Sequence, residues 1–229
     1  MEKVQQLKNN NKLIFDKISS TFNSSYYPCM YGKLSFTKNM MYAGIYKDLE
    51  LNSIKTLAND LEEMSKQLKI QDSKEERIYN TFIAIFDIDD TKISFDNIWY
   101  KIIIQLHNLD KKEWKKNSTK DLNNADFKFS FNSKLWYPVL ITPSHPNKIR
   151  KSKITILSFQ PDQTFLLNQE IDNKYYQNIR KKIHKKIDKI YDNKKPHYLS
   201  DKSTGKGMVQ FLGYDFEEDE KFKYPNIIK

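Results

Sequence analysis

Cysteine, glycine and long apolar runs are all scarce in this chain of 229 residues. The single cysteine, Cys29, excludes an internal disulfide and a zinc site built from several thiolates. The five glycines do not form the dinucleotide-binding or P-loop patterns, which need closely spaced glycines around a phosphate. No aliphatic run is longer than three residues, as in Ile102-Ile103-Ile104, whereas a membrane-spanning helix needs about 18 apolar residues. These absences exclude a fold stabilised by internal disulfide bonds, the common nucleotide-binding loops and a transmembrane helix.

The chain nevertheless has ample material for a hydrophobic core. Hydrophobic residues make up 38% and aromatic residues 14% of the sequence, including 14 Phe and 14 Tyr. Such a composition is typical of a folded chain, and this length fits one large domain. Because the first residues lack the apolar segment of a secretory signal, we expect a cytoplasmic protein that does not bind membranes.

A formal net charge of +10 raises the question of a nucleic-acid partner. All but three of the 39 basic residues are lysines, and the exceptions are Arg77, Arg150 and Arg180. Recognition of phosphates and base edges favours the planar, bidentate guanidinium group of arginine. We therefore interpret the charge as a compositional bias. A basic nucleic-acid-binding module, which would bind in a salt-dependent way without a cofactor, is the weakest of our hypotheses.

The spacing of apolar residues predicts helices that alternate with strands. Helices are predicted at 13–18, 51–68, 95–109 and 171–190, and strands at 40–46, 79–88, 127–131, 135–141 and 154–159. Asn132 and Ser133 form a predicted hairpin turn. The alternation of Phe127, Phe129 and Phe131 predicts a strand with one buried face. The lysines of the last helix lie mostly opposite its isoleucines, which predicts a solvated surface.

These elements predict an α+β fold, with a largely antiparallel or mixed β-sheet flanked by several α-helices. Residues 1–12 are predicted to be a polar amino-terminal lead-in with little to bury, and residues 13–229 a single domain. The sequence shows no internal repeat and no break in composition that would indicate a second domain.

Among the four histidines, His145 has the most distinctive surroundings. It follows a strongly apolar strand, lies between Pro143 and Pro146, and precedes Arg150. The prolines hold the backbone out of helical geometry and so fix the position of the imidazole. A histidine at a strand end with a cation nearby suits a metal or an anionic cofactor. A loop histidine that binds a backbone carbonyl accounts for the same spacing equally well.

His107, His184 and Cys29 are the other side chains with candidate roles. His107 lies on the flank of an apolar helical stripe, where a core or capping histidine is the commoner outcome. His184 lies among lysines and is expected on the surface of the last helix. Cys29 follows Pro28 in an aromatic stretch. A buried, inert thiol is the default for a single cysteine, and a ligand or nucleophile is the alternative.

Short segments spread over residues 26–214 resemble, in the same order, the motifs of the YqcI/YcgG family. The motifs are an aromatic-Pro-Cys segment with a following lysine, a tryptophan helix ending in Leu-His-x-x-Asp, a Phe-x-Phe strand, an apolar strand leading into His-Pro and an arginine, and several closing segments. They correspond here to Tyr27-Pro28-Cys29 and Lys33, Trp99 to Asp110, 127–131, 136–141 with His145-Pro146 and Arg150, 159–165, Ile179-Arg180, Pro196 and 210–213. Each segment is short, and their shared order carries the resemblance.

This resemblance implies haem-dependent chemistry, because the family includes haem-dependent N-hydroxylases of guanidino compounds. It implies a b-type haem with His145 as the axial iron ligand and with Arg150 and Lys33 as partners of the propionates. His107 is implied as the opposite ligand or a distal hydrogen-bond donor, and Cys29 as a third choice of ligand. The implied walls of the haem slot are Trp99, Phe129 and Trp136.

The implied reaction is activation of dioxygen at the haem, followed by hydroxylation of a nitrogen in a guanidino or amine substrate similar to arginine. An external electron donor would supply the reducing electrons, since the sequence carries no flavin or nicotinamide motif. A cationic substrate needs a carboxylate partner, and Asp201 is the candidate. The oligomeric state stays open, with a homodimer among the alternatives.

Two positions differ from the pattern of the family. Asp162 stands where many relatives have a histidine, and Tyr214 stands where an arginine often follows the closing segment. The alternative hypothesis is therefore a haem-binding sensor or carrier without catalytic turnover, in which the same His145 would hold the haem. Conversion of a guanidine to a hydroxylated product separates the two hypotheses.

Overall fold

The computed structural model describes residues 1–70, 79–116, 118–166, 173–192 and 207–213, in which helices and strands alternate as the periodicity predicts. The helices are α1 Leu7–Asn10, α2 Lys12–Phe22, α3 Met30–Thr37, α4 Leu51–Ile70, α5 Phe95–Leu109, α6 Asn173–Ile190 and α7 Gly207–Leu212, with 3-10 turns at Val4–Gln6 and Lys148–Arg150. The strands are β1 Glu2–Lys3, β2 Met41–Tyr46, β3 Thr81–Phe86, β4 Phe129–Phe131, β5 Lys134–Ile141 and β6 Thr155–Pro161.

The described strands form one mixed sheet in the order β1-β2-β3-β6-β5-β4. β2 and β3 run parallel, and all other neighbours in the sheet are antiparallel. A parallel pair needs a crossover connection, and α4 lies between β2 and β3 in the chain. The predicted α+β fold with a mixed sheet is therefore confirmed.

Alternate residues of β3 belong to two separate hydrophobic cores. On one face of the sheet, Phe82, Ala84 and Phe86 pack with apolar side chains of α4, α5 and α7. On the other face, Ile83 and Ile85 pack with side chains of α1, α2 and α3. β3 is buried on both sides, which explains its unbroken apolar sequence.

β5 extends well beyond its outer neighbour. β4 pairs only with residues 134–136, whereas β5 continues to Ile141. α7 packs against β5, and the rings of Phe211 and Tyr137 lie 5.7 Å apart. The indole N–H of Trp99 donates to the carbonyl of Pro138 at 2.8 Å. A short helix and a side chain thus complete the part of the sheet that β4 leaves unpaired.

The hairpin between β4 and β5 confirms one prediction and corrects another. Asn132 and Ser133 both have positive φ, at 50° and 59°, as a two-residue hairpin turn requires. The prediction that only one face of β4 is buried is wrong, because Ser130 is buried as well as Phe129 and Phe131. The loop before β4 covers this second face, and the backbone N–H of Lys115 donates to Ser130 Oγ at 3.0 Å.

The first twelve residues take part in the fold more than their polarity predicts. β1 pairs with β2, and Val4 and Leu7 are buried in the core beneath α1–α3. The expectation that this segment has little to bury is therefore wrong. Residues three apart lie on one side of a helical turn, so two apolar side chains are enough to anchor the segment.

Gly44 of β2 provides a test of how tightly the sheet packs against α4. A methyl group there would collide with the hydroxyl of Tyr46 and lie 2.8 Å from Asp60 Oδ2, and these two groups share a hydrogen bond of 2.6 Å. We expect Gly44→Ala to lower the free energy of unfolding by about 1–3 kcal/mol, the usual cost of overpacking. Chemical denaturation measures this change.

The matched background for this test is Tyr46→Phe, which removes the hydroxyl that would collide. Gly44→Ala should cost less in that background than in the wild type, because a double-mutant cycle isolates the interaction between neighbouring groups. Equal costs in both backgrounds would show that this hydroxyl is not the reason for a glycine at position 44.

Candidate functional site

His145 is fully buried in the loop after β5, and both of its ring nitrogens bind the backbone. Nδ1 accepts the backbone N–H of Asn147 at 3.0 Å, and Nε2 lies 2.7 Å from the carbonyl oxygen of Leu212. Since a carbonyl can only accept, the proton is assigned to Nε2 and the ring is the neutral tautomer. The ring of Phe95 packs on the imidazole, with centroids 4.5 Å apart.

The surroundings of His145 favour its neutral form. Burial lowers its pKa from 6.5 to about 4, and the nearby Arg150 and Lys151 also lower it. The hydrogen bonds to Leu212 and Asn147 act in the opposite direction but do not outweigh burial. The ring is therefore an uncharged donor at neutral pH.

Two further side chains of the same loop bind the end of α7. Asn147 Nδ2 donates to the carbonyl of Gly213 at 3.2 Å, and the guanidinium of Arg150 donates to the carbonyl of Gln210 at 2.5 Å. The last carbonyls of a helix have no partner within the helix and must find one elsewhere. We call His145, Asn147 and Arg150 the carbonyl clamp, because together they provide these partners for α7.

Gly213 explains why the closing motif ends in glycine. Its φ of +69° lies in the left-handed region that favours glycine. A methyl group at this position would lie 2.5 Å from Cγ and 2.7 Å from Nε of Arg150. The absence of a side chain thus allows Arg150 to reach across the end of α7.

Cys29 immediately precedes α3 and lies within a small polar cluster. Its Sγ accepts the backbone N–H of Gly32 at 3.4 Å, and Nε2 of Gln160 lies 3.9 Å away. The hydroxyl of Tyr27 forms a hydrogen bond with the same thiol group. Burial raises the pKa of Tyr27 well above its ordinary value, with Cys29 adding to the effect and Arg150 opposing it. The phenol therefore stays protonated, within the electrostatic reach of Arg150.

Two lysines hold the loop that leads to Cys29. Lys33 Nζ donates to the carbonyl of Ser24 at 3.2 Å, and Lys186 Nζ of α6 donates to the carbonyl of Tyr27 at 2.5 Å. Burial, together with the neighbouring charge of Lys33, lowers the pKa of Lys186 to about 8. Lys33, the predicted partner of a haem propionate, is thus engaged with the backbone in this structure.

His107 lies apart from this cluster, near the end of α5. Its half-buried ring contacts the edge of Trp114, with centroids 5.7 Å apart. Trp114 in turn stacks on Phe127 at 6.3 Å, and its buried indole N–H has no hydrogen-bond partner in the described part of the chain. Among the histidines implied as ligands, His107 has its ring nitrogens outside any hydrogen bond between described residues.

The aromatic residues implied as walls of a haem slot are ordinary members of the core. Trp99, Phe129 and Trp136 have no exposed surface. The indole of Trp99 is held by Pro138, and the indole of Trp136 donates to the carbonyl of Phe131 at 3.2 Å. All three belong to one continuous hydrophobic cluster.

Two carboxylates were singled out from the family motifs, Asp162 and Asp201, and the structure describes Asp162. Asp162 is buried and forms an ion pair of 2.9 Å with Lys128 Nζ. Lys128 also lies over the ring of Tyr137, 5.7 Å from its centroid. Asp201 and Tyr214 lie outside the described residues.

A groove of about 430 Å³ lies between α4 and the loop after α5, and it does not include the predicted site residues. Both signs of charge line it, including Lys55, Glu62, Asp110 and Lys112. Within the described ranges, no group of three or more His, Cys, Asp or Glu side chains could hold a metal ion. In the same ranges, no helix is long and apolar enough to cross a membrane.

Contacts between described residues join sequence motifs that are far apart in the chain. Nε2 of Gln160 lies 3.9 Å from Sγ of Cys29, and the carbonyl clamp binds the end of α7. Sequence reasoning singled out Cys29, His145 and Arg150 but missed Tyr27, Asn147 and Gln160 as functional candidates. These three lie in or beside the quoted motifs, and that position was the signal that could have identified them.

The fold and this cluster define an α+β protein in which one mixed sheet lies between two sets of helices. The family model of the YqcI/YcgG family matches residues 17–225, so the chain belongs to this family. No curated protein and no solved structure matches the chain.

The neutral state of His145 leads to a prediction about acid stability. The unfolded state takes up a proton near pH 6.5, whereas the folded state does so only near pH 4, so the stability due to this group is present above pH 6.5 and is lost as the pH falls towards 4. We expect the melting temperature of the wild type to fall more steeply over this range than that of His145→Gln.

The control is Asn9→Gln, which changes an exposed side chain that does not titrate and should keep the wild-type slope. Melting temperatures measured every half pH unit would compare the three proteins. Parallel curves for the wild type and His145→Gln would contradict the assignment of a neutral, buried ring.

Proposed function

We propose that this chain is a haem-dependent monooxygenase that hydroxylates a nitrogen of a guanidino or amine small molecule, with dioxygen as co-substrate and an external electron donor. The proposal is supported by membership of the YqcI/YcgG family and by the resemblance to its N-hydroxylases. The observation that carries it is the convergence of the family motifs. Hydrogen bonds join these motifs in pairs: the segment around Cys29 meets the segment around Gln160, and the loop that carries His145 and Arg150 meets the segment around Gln210.

The convergent groups can orient a small polar molecule. Tyr27 supplies a protonated phenol, Gln160 a buried amide and Cys29 a half-buried thiol at the start of α3. Two lysines fix the backbone of the loop that presents this thiol, so the groups are held in place before a ligand arrives. Such preorganisation lowers the cost of binding.

A haem does not fit at His145 in this arrangement. Neither ring nitrogen has a free lone pair, since Nδ1 accepts from Asn147 and Nε2 donates to Leu212. Arg150 and Lys33 bind backbone carbonyls, and Trp99 is packed in the core. His107 and Cys29 remain as the other ligands that the resemblance implies, and the imidazole of His107 is the less engaged of the two.

An absorption spectrum and a hemin titration test the proposal. We expect a sharp Soret band that saturates at one haem per chain. His107→Ala and Cys29→Ser show which of these side chains contributes a ligand, through loss or displacement of the band, and His184→Ala is the control. A broad band that does not saturate in the wild type would contradict every haem-based function.

A turnover assay separates the enzyme from the haem-binding sensor or carrier. The sensor is favoured by one observation, the ion pair between Asp162 and Lys128 where many relatives carry a histidine. The haem-loaded protein is given arginine and related guanidines with dioxygen and a chemical reductant. We expect a product one oxygen atom heavier than its substrate. Stoichiometric haem binding without any product would favour the sensor.

A further inference from the structure

We infer that His145 is the capping donor of α7 in this chain and not a haem ligand. The inference concerns the site of the proposed function, and its haem measurements rest on that proposal. Its structural basis is the disagreement between the ligand role implied by the family resemblance and the hydrogen bonds that the imidazole makes.

The imidazole is saturated on both edges. Nε2 carries the proton that it donates to Leu212, so it has no lone pair for a metal. The lone pair of Nδ1 is directed at the backbone N–H of Asn147, only two residues away, within the turn that positions the ring. Ligation through either nitrogen requires one of these bonds to break. Phe95 covers the ring as well.

The bond from Nε2 cannot be released alone, because α7 is anchored in the core. Met208, Phe211 and Leu212 are buried, and the ring of Phe211 lies 6.0 Å from Phe127 and 6.4 Å from Trp99. Moving the end of α7 away from His145 would expose these side chains to water. A large apolar surface therefore opposes the freeing of the ring.

The neighbours of His145 share its task. Asn147 and Arg150 donate to the carbonyls of Gly213 and Gln210, on either side of the carbonyl that His145 binds. Three contacts of one kind between one loop and one helix end indicate a structural role for these side chains. A metal site would instead direct these side chains to a common point.

Hydrogen exchange on the full-length chain tests the capping role. We expect His145→Ala to speed amide exchange in residues 207–213 about tenfold or more, as loss of a buried hydrogen bond implies. Asn147→Ala and Gly213→Ala should also speed it, because each disturbs the carbonyl clamp while leaving the imidazole in place. Lys148→Ala, an exposed residue in the same loop, is the matched control and should leave exchange unchanged.

Hemin titration of the same proteins tests the other half of the inference. We expect His145→Gln, whose amide can still donate a hydrogen bond, to bind one haem with the wild-type Soret spectrum. His145→Ala should lose hemin only as far as Asn147→Ala and Gly213→Ala do, since any loss would follow the release of α7. If His145→Ala folds poorly, the comparison with Asn147→Ala and Gly213→Ala still separates the loss of a ligand from the release of α7.

Two results would overturn the inference. The first is unchanged exchange in residues 207–213 of His145→Ala. The second is loss of the haem spectrum in both His145 variants while Asn147→Ala and Gly213→Ala keep it despite fast exchange, which would identify the imidazole as the ligand. If the wild type binds no stoichiometric hemin, the proposed function fails, and the exchange rates alone decide the capping role.

Discussion

The hydrogen bond from His145 to the carbonyl of Leu212 is the contact on which the arrangement of the site depends. It joins positions 67 residues apart and places α7 beside the part of β5 that β4 leaves unpaired. With that helix in place, Phe211 closes the core over Trp99 and Phe127. Arg150 then lies across Gly213, from where its charge reaches Tyr27.

The predicted cofactor-binding residues share an unexpected task, which is to satisfy backbone carbonyls. His145 and Arg150 do so at the end of α7, and Lys33 does so in the loop before α3. Buried carbonyls need donors, and long cationic side chains reach those that no neighbouring strand or helix can serve. A cation beside a motif is therefore consistent with a structural role as well as with an anionic ligand.

Local patterns predicted the elements of the fold well. The apolar stripe of α5 identified both of its ends, and Asn132-Ser133 identified the hairpin, because each signal lies within a few residues of the feature that it predicts. The patterns failed where distant segments cover a surface. Ser130 is buried by the loop that precedes β4, and Val4 and Leu7 are buried by helices that follow them, so the residues next to them in sequence carried no such signal.

The order of the motifs was sufficient to identify the family, and the two prolines beside His145 were sufficient to predict a rigidly held imidazole. Spacing left two partners open for that ring, a cofactor and a backbone carbonyl. Only the folded chain assigns the carbonyl of Leu212 and brings Cys29 beside Gln160. Hydrogen bonds between residues far apart in sequence depend on how the sheet and helices pack. Periodicity describes the face that an element buries, but not the group that meets it across the core.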